Sequence, residues 1–374
     1  MEIKERNHGL DLLRLLAMIF IVMSHIEGQS GIFSNVDSEF GKCIVWFLTS
    51  GAQISVNCFV MIGAWFLVDK KFKMERIMKI YGELFFYCVC ITIFFAIIFP
   101  NQISVESIVR GLFPFMGSPL WFATCYILLL LFSGFLNRLL EFPEITKKII
   151  IILFFIHCIP PTFLLRNDFF FGSELMWFIF LYLLMGYLKK NPLNFLSKGK
   201  KNGVIAISIY AGLYILCLVI EKFMIPHIPL LLNLKDGLDI KRYFVTNYHV
   251  VSVFFCSIFL FYYFKDLKIK KNMLISFFSE LTFAVYIIHQ VPAFISILWF
   301  KVYQINKVID LKWGGVLLYF FFVVLTLFLG VTITDKLRKK FIEPIWVKSK
   351  LYINICKKGN IFFGSISKNE DKDL

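Results

Sequence analysis

The sequence predicts an all-α integral membrane protein, a polytopic bundle of about ten transmembrane helices. Composition and charge distribution carry that reading. The chain has 374 residues, 59% of them hydrophobic, 17% charged and 46 of them Phe. A soluble domain of this length has no interior large enough to hide so much apolar surface. The formal net charge of +15 admits nucleic acid as a partner. The basic residues, however, alternate from loop to loop instead of pooling in one soluble domain, which favours the membrane.

In order, the spans are read at 9–27, 43–68, 80–99, 119–138, 148–165, 172–188, 203–223, 245–264, 274–299 and 313–335. Each is an apolar run near the 20 residues that cross a bilayer. The first is not expected to be a cleaved signal peptide, because it lacks a small-residue cleavage site and its apolar stretch is interrupted by charge. Between spans, 28–42 is a polar loop. The semi-polar segment 100–119 is expected to form a short surface helix ahead of Trp121. The long loop 224–244 reads as irregular through Pro226, Pro229 and Gly237. Beyond Asp335, KLRKK opens an amphipathic stretch to about Phe363, a surface-lying basic helix with a disordered end. The organisation expected is a transmembrane domain over 1–335 and a basic cytoplasmic tail over 336–374, with no repeat and no second, soluble domain.

Orientation follows from the loops. One alternating set holds Lys70, Lys71, Lys73, Arg76 and Lys79, then Lys189, Lys190, Lys198, Lys200 and Lys201, then Lys265, Lys268, Lys270 and Lys271, and the tail. Its Lys and Arg excess over the other set is roughly threefold, which puts both termini in the cytoplasm of a multi-pass cell-membrane protein. The nine cysteines show no disulfide framework or zinc spacing and read as buried free thiols.

The first span, LDLLRLLAMIFIVMSHI, carries Asp11, Arg14 and His25. Ionisable side chains in a span are costly and mark sites or pathways. The eleven-residue step from Arg14 to His25 turns by about 20° net, so the two share a face roughly 16 Å apart along the axis. An imidazole suits proton transfer near neutral pH, although a helix-end histidine can also simply wet the headgroup region. Arg14 reads either as a cation snorkelling to the inner surface beside Asp11 or as an anion clamp, for which the guanidinium fork is suited. Arg76 and Lys79, three residues apart, are either ordinary inner-loop charge, with Glu83 four residues after Lys79 as its partner, or further phosphate contacts. Trp121 follows Pro119 at the outer start of a span, where belt tryptophans also sit. In TFAVYIIHQVP, Tyr286 and His289 share a helix face before Pro292 loosens the helix. Neither histidine has a carboxylate or Cys at ligand spacing, so no metal site is assigned. His157, His227 and His249 read as surface residues at outer ends or loops.

The segment RNHGLDLLRLLAMIFIVMSHI resembles the opening of the acyltransferase 3 family of membrane acyltransferases, whose signature of an Arg or Lys, ten residues, then His is met by Arg14 and His25. NCFVMIGAWFLVDKKF, PLWFATCYILLLLFSGFLN, FLYLLMGYLKK and SELTFAVYIIHQ continue the resemblance in order. It implies transfer of an acyl group, often acetyl, from cytoplasmic acyl-CoA to a hydroxyl of a cell-surface glycan or its lipid-linked precursor. His25 is then catalytic, and Arg14, Arg76 and Lys79 are donor-binding, with Asp11 in support. Trp121, Tyr286 and His289 line the acceptor side. Acetyl-CoA is a donor substrate, and no resident cofactor or nucleic acid is implied. The family's Arg-x-x-Arg element reads Arg76-Ile77-Met78-Lys79 here, and Ile62 stands where a Ser usually precedes Gly63. The alternatives are a transporter or flippase for a surface glycan or its acylated precursor, with the charged stripe as its pathway, and a structural or assembly subunit.

Overall fold

The structure, a computed structural model, describes residues 6–32, 36, 38–115, 120–163, 174–219 and 247–365. Among them every regular element is a helix. The long helices are α1 (His8–Ser30), α2 (Glu39–Leu67), α3 (Met74–Ile98), α5 (Trp121–Leu139), α6 (Pro143–Phe163), α7 (Glu174–Lys190) and α8 (Gly199–Val219). They are followed by α9 (Val251–Asp266), α10 (Met273–Ile288) and α12 (Trp313–Leu337). Short helices α4 (Val105–Leu112), α11 (Pro292–Ser296) and α13 (Glu343–Lys348), the tail helix α14 (Lys350–Ser365), and tighter or wider helical turns at Pro100–Gln102, Ile297–Val302, Ile305–Asp310 and Arg338–Ile342 complete the set.

A helix falls within each of the ten expected spans, but a count of ten crossings is not established. Six helices are long and apolar enough to cross by themselves, or seven crossings if α10 and the helix after it form one span bent by 88°. The helices α7 and α9 have 17 and 16 residues, short of a full bilayer's length. They are mostly buried, with Trp177, Phe178, Phe180 and Phe261 fully enclosed and Met176 and Phe255 exposed. Lipid-facing surface is plain on α12, where Leu318, Phe321, Phe322, Leu325 and Ile333 are exposed.

The chain divides into two compact units. The first comprises 1–21, 47–65 and 143–276. Its interior is tied by Asn57, fully buried on α2. The Asn57 amide donates to the Tyr248 carbonyl (3.1 Å) and the Ser257 hydroxyl (3.2 Å) and accepts from Trp177 Nε1 (2.9 Å). Buried polar groups satisfied in this way fix one arrangement of the helices around them. His157 and His249 belong to this interior. They are 6% and 7% exposed and pack on the Trp177 ring, which corrects the surface reading. The reason is tertiary: His157 on α6 and His249 just ahead of α9 turn toward each other and toward Trp177 of α7, and the packed rings exclude water. His227 and the loop 224–244 lie outside the described residues.

The second unit comprises 22–46, 66–142 and 277–374. The expected surface helix appears as α4, capped by the Ser104 hydroxyl accepting from Ser107 N (3.1 Å). Ile103 packs there with Ala293 and Ile297. On the loop charges this segment is expected outside the cell. A Val105→Cys variant in a thiol-free background, at a position 77% exposed, is expected to react with an impermeant thiol reagent on intact cells. Labelling only after the membrane is breached would refute the orientation.

The basic tail docks as a helix on the N-terminal end of α3. Gly82 leaves room for the Trp346 indole, whose Nε1 donates to the Met78 carbonyl (3.2 Å). Asn360 accepts from Met74 N (2.7 Å) and donates to Glu75 (2.8 Å). Met78, Tyr352 and Cys356 close a small core there. Its burial, with Glu75 adding to the effect, holds the Cys356 thiol above its ordinary range. Leu351, Ile361 and Phe362 stay exposed on α14. Not every thiol is buried: Cys90 is exposed on the outer face of α3.

Candidate active site

The site is built where a helix stops. His289 N still bonds back to the Val285 carbonyl (3.3 Å), closing the last turn after α10, and Gln290 N turns to the Ile287 carbonyl (3.0 Å). Pro292 has no N–H to continue the ladder and instead opens α11. The 88° bend lies in between, and it aims two consecutive side chains, His289 and Gln290, at α1.

Both reach His25. His25 Nδ1 lies 2.7 Å from His289 Nε2 and 2.8 Å from the Gln290 side-chain nitrogen. The far nitrogen of His289, Nδ1, is 2.5 Å from the Val285 carbonyl. His289 is 0% exposed and Gln290 5%, whereas His25 is only partly buried. His25 therefore presents its remaining nitrogen, Nε2, from a ring anchored on its other side. Tyr286 stacks edge-on to His289 at 6.4 Å and to Phe122 at 5.7 Å, and Phe122 in turn meets Trp121. Trp299 closes the far side of His289 at 6.3 Å. The sequence-predicted trio Trp121, Tyr286 and His289 is thus one aromatic chain leading to His25.

An array of ionic groups occupies another part of the same unit. Arg338 is 4% exposed and meets Asp335 (2.8 Å), Glu343 (3.2 Å) and Glu83 (3.4 Å). Asp335 also takes Lys339 (2.8 Å) and the Tyr87 hydroxyl (3.0 Å). Lys79 is paired with Glu343 at 2.7 Å, not with Glu83 as its helix spacing suggested. The turn of wide helix at Arg338–Ile342 brings Arg338 and Glu343 onto α3, and tertiary contact overrides the local pair. Arg76 donates to the Lys71 carbonyl (2.9 Å).

In the first unit, Asp11 is 7% exposed, with Arg6 Nε at 2.5 Å and Arg14 at 3.9 Å. The expected Asp11–Arg14 pair is present, with Arg6 as Asp11's shorter contact.

Across residues 7–335 the chain matches the family model described as an acyltransferase domain. The chain belongs to the acyltransferase 3 family. No curated protein and no solved structure matches it. The acyltransferase is a multi-pass membrane protein, and its matched region contains His25, His289 and Gln290 in the arrangement above. Gln290 and the Arg338 cluster were not singled out from sequence. The break signal of Pro292 flagged the neighbourhood of Gln290, while nothing local marks Arg338 apart from the other basic residues of KLRKK.

Proposed function

We propose that this acyltransferase moves an acyl group, acetyl in the simplest case, from cytoplasmic acyl-CoA to a hydroxyl of a cell-surface polysaccharide or its lipid-linked precursor, with His25 as general base. The single observation that carries the reading is an anchored but partly accessible imidazole on α1 of a member of this family. A sugar hydroxyl is a weak nucleophile at neutral pH and needs a base as it attacks. In the step, the hydroxyl proton passes to His25, the O–C bond forms and the C–S bond breaks. The CoA thiolate leaves and takes the proton back from the imidazolium, which restores His25. Direct transfer is the reading adopted, since it needs one acyl transfer where an acyl-histidine needs two.

Both termini are read as cytoplasmic, which puts Arg14 at the side where acyl-CoA is made. Its guanidinium, and independently Arg76 and Lys79 on α3, are the cations offered to the donor's phosphates. Lys79 already serves Glu343, so Arg76 is the stronger candidate of that pair. Trp121 is the half-buried aromatic available to a sugar ring.

The test is incubation of purified protein with radiolabelled acetyl-CoA and cell-envelope fractions. Label is expected in a polysaccharide and in alkali-labile, ester-bound form. Arg14→Ala and Arg76→Ala are each expected to raise the KM for acetyl-CoA about 10- to 150-fold, the range set by one lost charged contact. Unaltered KM in both would remove them from donor binding. Glycan export lost in cells, with no acyl transfer by the parent protein, would favour the transporter.

A further inference from the structure

The hydrogen-bond pattern around His25 constrains where its protons reside. A carbonyl oxygen only accepts, so the 2.5 Å contact to Val285 assigns a proton to His289 Nδ1. A neutral His289 then turns a lone pair on Nε2 toward His25. His25 Nδ1 stands 2.7 Å from that lone pair and fills it with a proton. Neutral His25 is left with its lone pair on Nε2, the nitrogen with no partner among the described residues.

Gln290 fits this assignment with its terminal amide turned by half a rotation, so that the carbonyl oxygen shares the Nδ1 proton. The opposite arrangement, with the Gln290 amide donating to a bare His25 Nδ1, requires His289 to carry protons on both nitrogens. That cation would sit at 0% exposure, and among the described residues neither ring has a carboxylate partner. Burying an unpaired charge is far costlier than rotating an amide.

Building on the reading of His25 as base, we propose that His289 is a positioning residue. It fixes His25 in the Nδ1–H tautomer and so makes Nε2 the atom that takes the acceptor's proton. Gln290 restrains the same ring from a second direction. This gives His289 a role other than lining the acceptor site, and its complete burial is the reason: substrate reaches His25, not His289. As His25 is protonated at Nε2, its Nδ1–H bond to His289 strengthens, because the donor is then charged. The bond therefore favours the proton-accepting state and not only the resting one.

The experiment uses full-length protein in lipid nanodiscs. Nitrogen NMR of the [15N]histidine-labelled parent, with His25 assigned by its loss in His25→Ala, is expected to show His25 protonated at Nδ1 and bare at Nε2. His289→Phe is expected to lower kcat about 100- to 1,000-fold, the lower part of the range of general-base loss, with the KM for acetyl-CoA within twofold. His289→Gln, whose side-chain oxygen still accepts from Nδ1–H, is expected to regain at least about tenfold of that. A resting Nε2–H tautomer in the parent would overturn the proposal, whatever the variants do. So would a His289→Phe enzyme of parental kcat, or one altered in acceptor KM alone, which would make His289 a substrate contact. A fully active His25→Ala enzyme would instead remove the reading on which the proposal rests, an outcome distinct from the others.

Discussion

His25→Ala protein is expected to insert and accumulate like the parent and to transfer no measurable acyl group. Loss of a positioned general base costs about 100- to 10,000-fold in rate. The upper end is expected because the acceptor is an un-ionised hydroxyl. Accumulation should hold, since His25 makes its two side-chain hydrogen bonds to His289 and Gln290 at a partly open position. The imidazole is a small share of what α1 buries: Leu10, Leu13, Val22, Met23 and Ile26 are each at most 2% exposed. The measurement is label transfer from acetyl-CoA to envelope polysaccharide by matched amounts of purified protein. More than about a hundredth of the parental rate would show that His25 is not the base.

The second large effect is on stability. Arg338→Ala leaves Asp335, Glu83 and Glu343 facing one another with Lys339 and Lys79 as the remaining cations. Asp335 is 1% exposed, so water cannot take over the role of the guanidinium. Removing one partner of a buried ionic group costs about 3–5 kcal/mol, because the remaining charge stays desolvated and unpaired. The variant should lose its monodisperse peak in a thermal ramp at much lower temperature than the parent. Adding Asp335→Asn should recover part of that loss by removing one of the stranded charges. An Arg338→Ala protein as heat-resistant as the parent would show that the cluster is solvated and of no structural weight.

Periodicity and charge make much of this molecule legible in one dimension. A bilayer offers no hydrogen bonds to a bare backbone, so long apolar runs must be helical and their length is set by the membrane. That is why all ten predicted spans contain helices, and why the short helix before Trp121 and the amphipathic tail were foreseeable. The Arg14 and His25 pair was visible for the same reason, since a charge is conspicuous against an apolar background. The number of true crossings was not so fixed. Whether a 16-residue helix such as α9 crosses depends on what surrounds it.

What the sequence by itself determined is therefore the class, the helices and the identity of His25 as the residue to question. The tertiary structure alone decided its company. His25 and His289 are 264 residues apart, and no local rule couples them. They meet because Pro292 cannot donate to the helix ladder, and the bend it leaves turns His289 and Gln290 toward α1. Lys79 makes the same point in reverse. Helix spacing offered it Glu83, but the chain after α12 delivered Glu343 to Lys79 and Arg338 to Glu83. Backbone pattern is set by neighbours along the chain. The pairing of buried charges is set by which groups lose their water together, and only the packed fold specifies that.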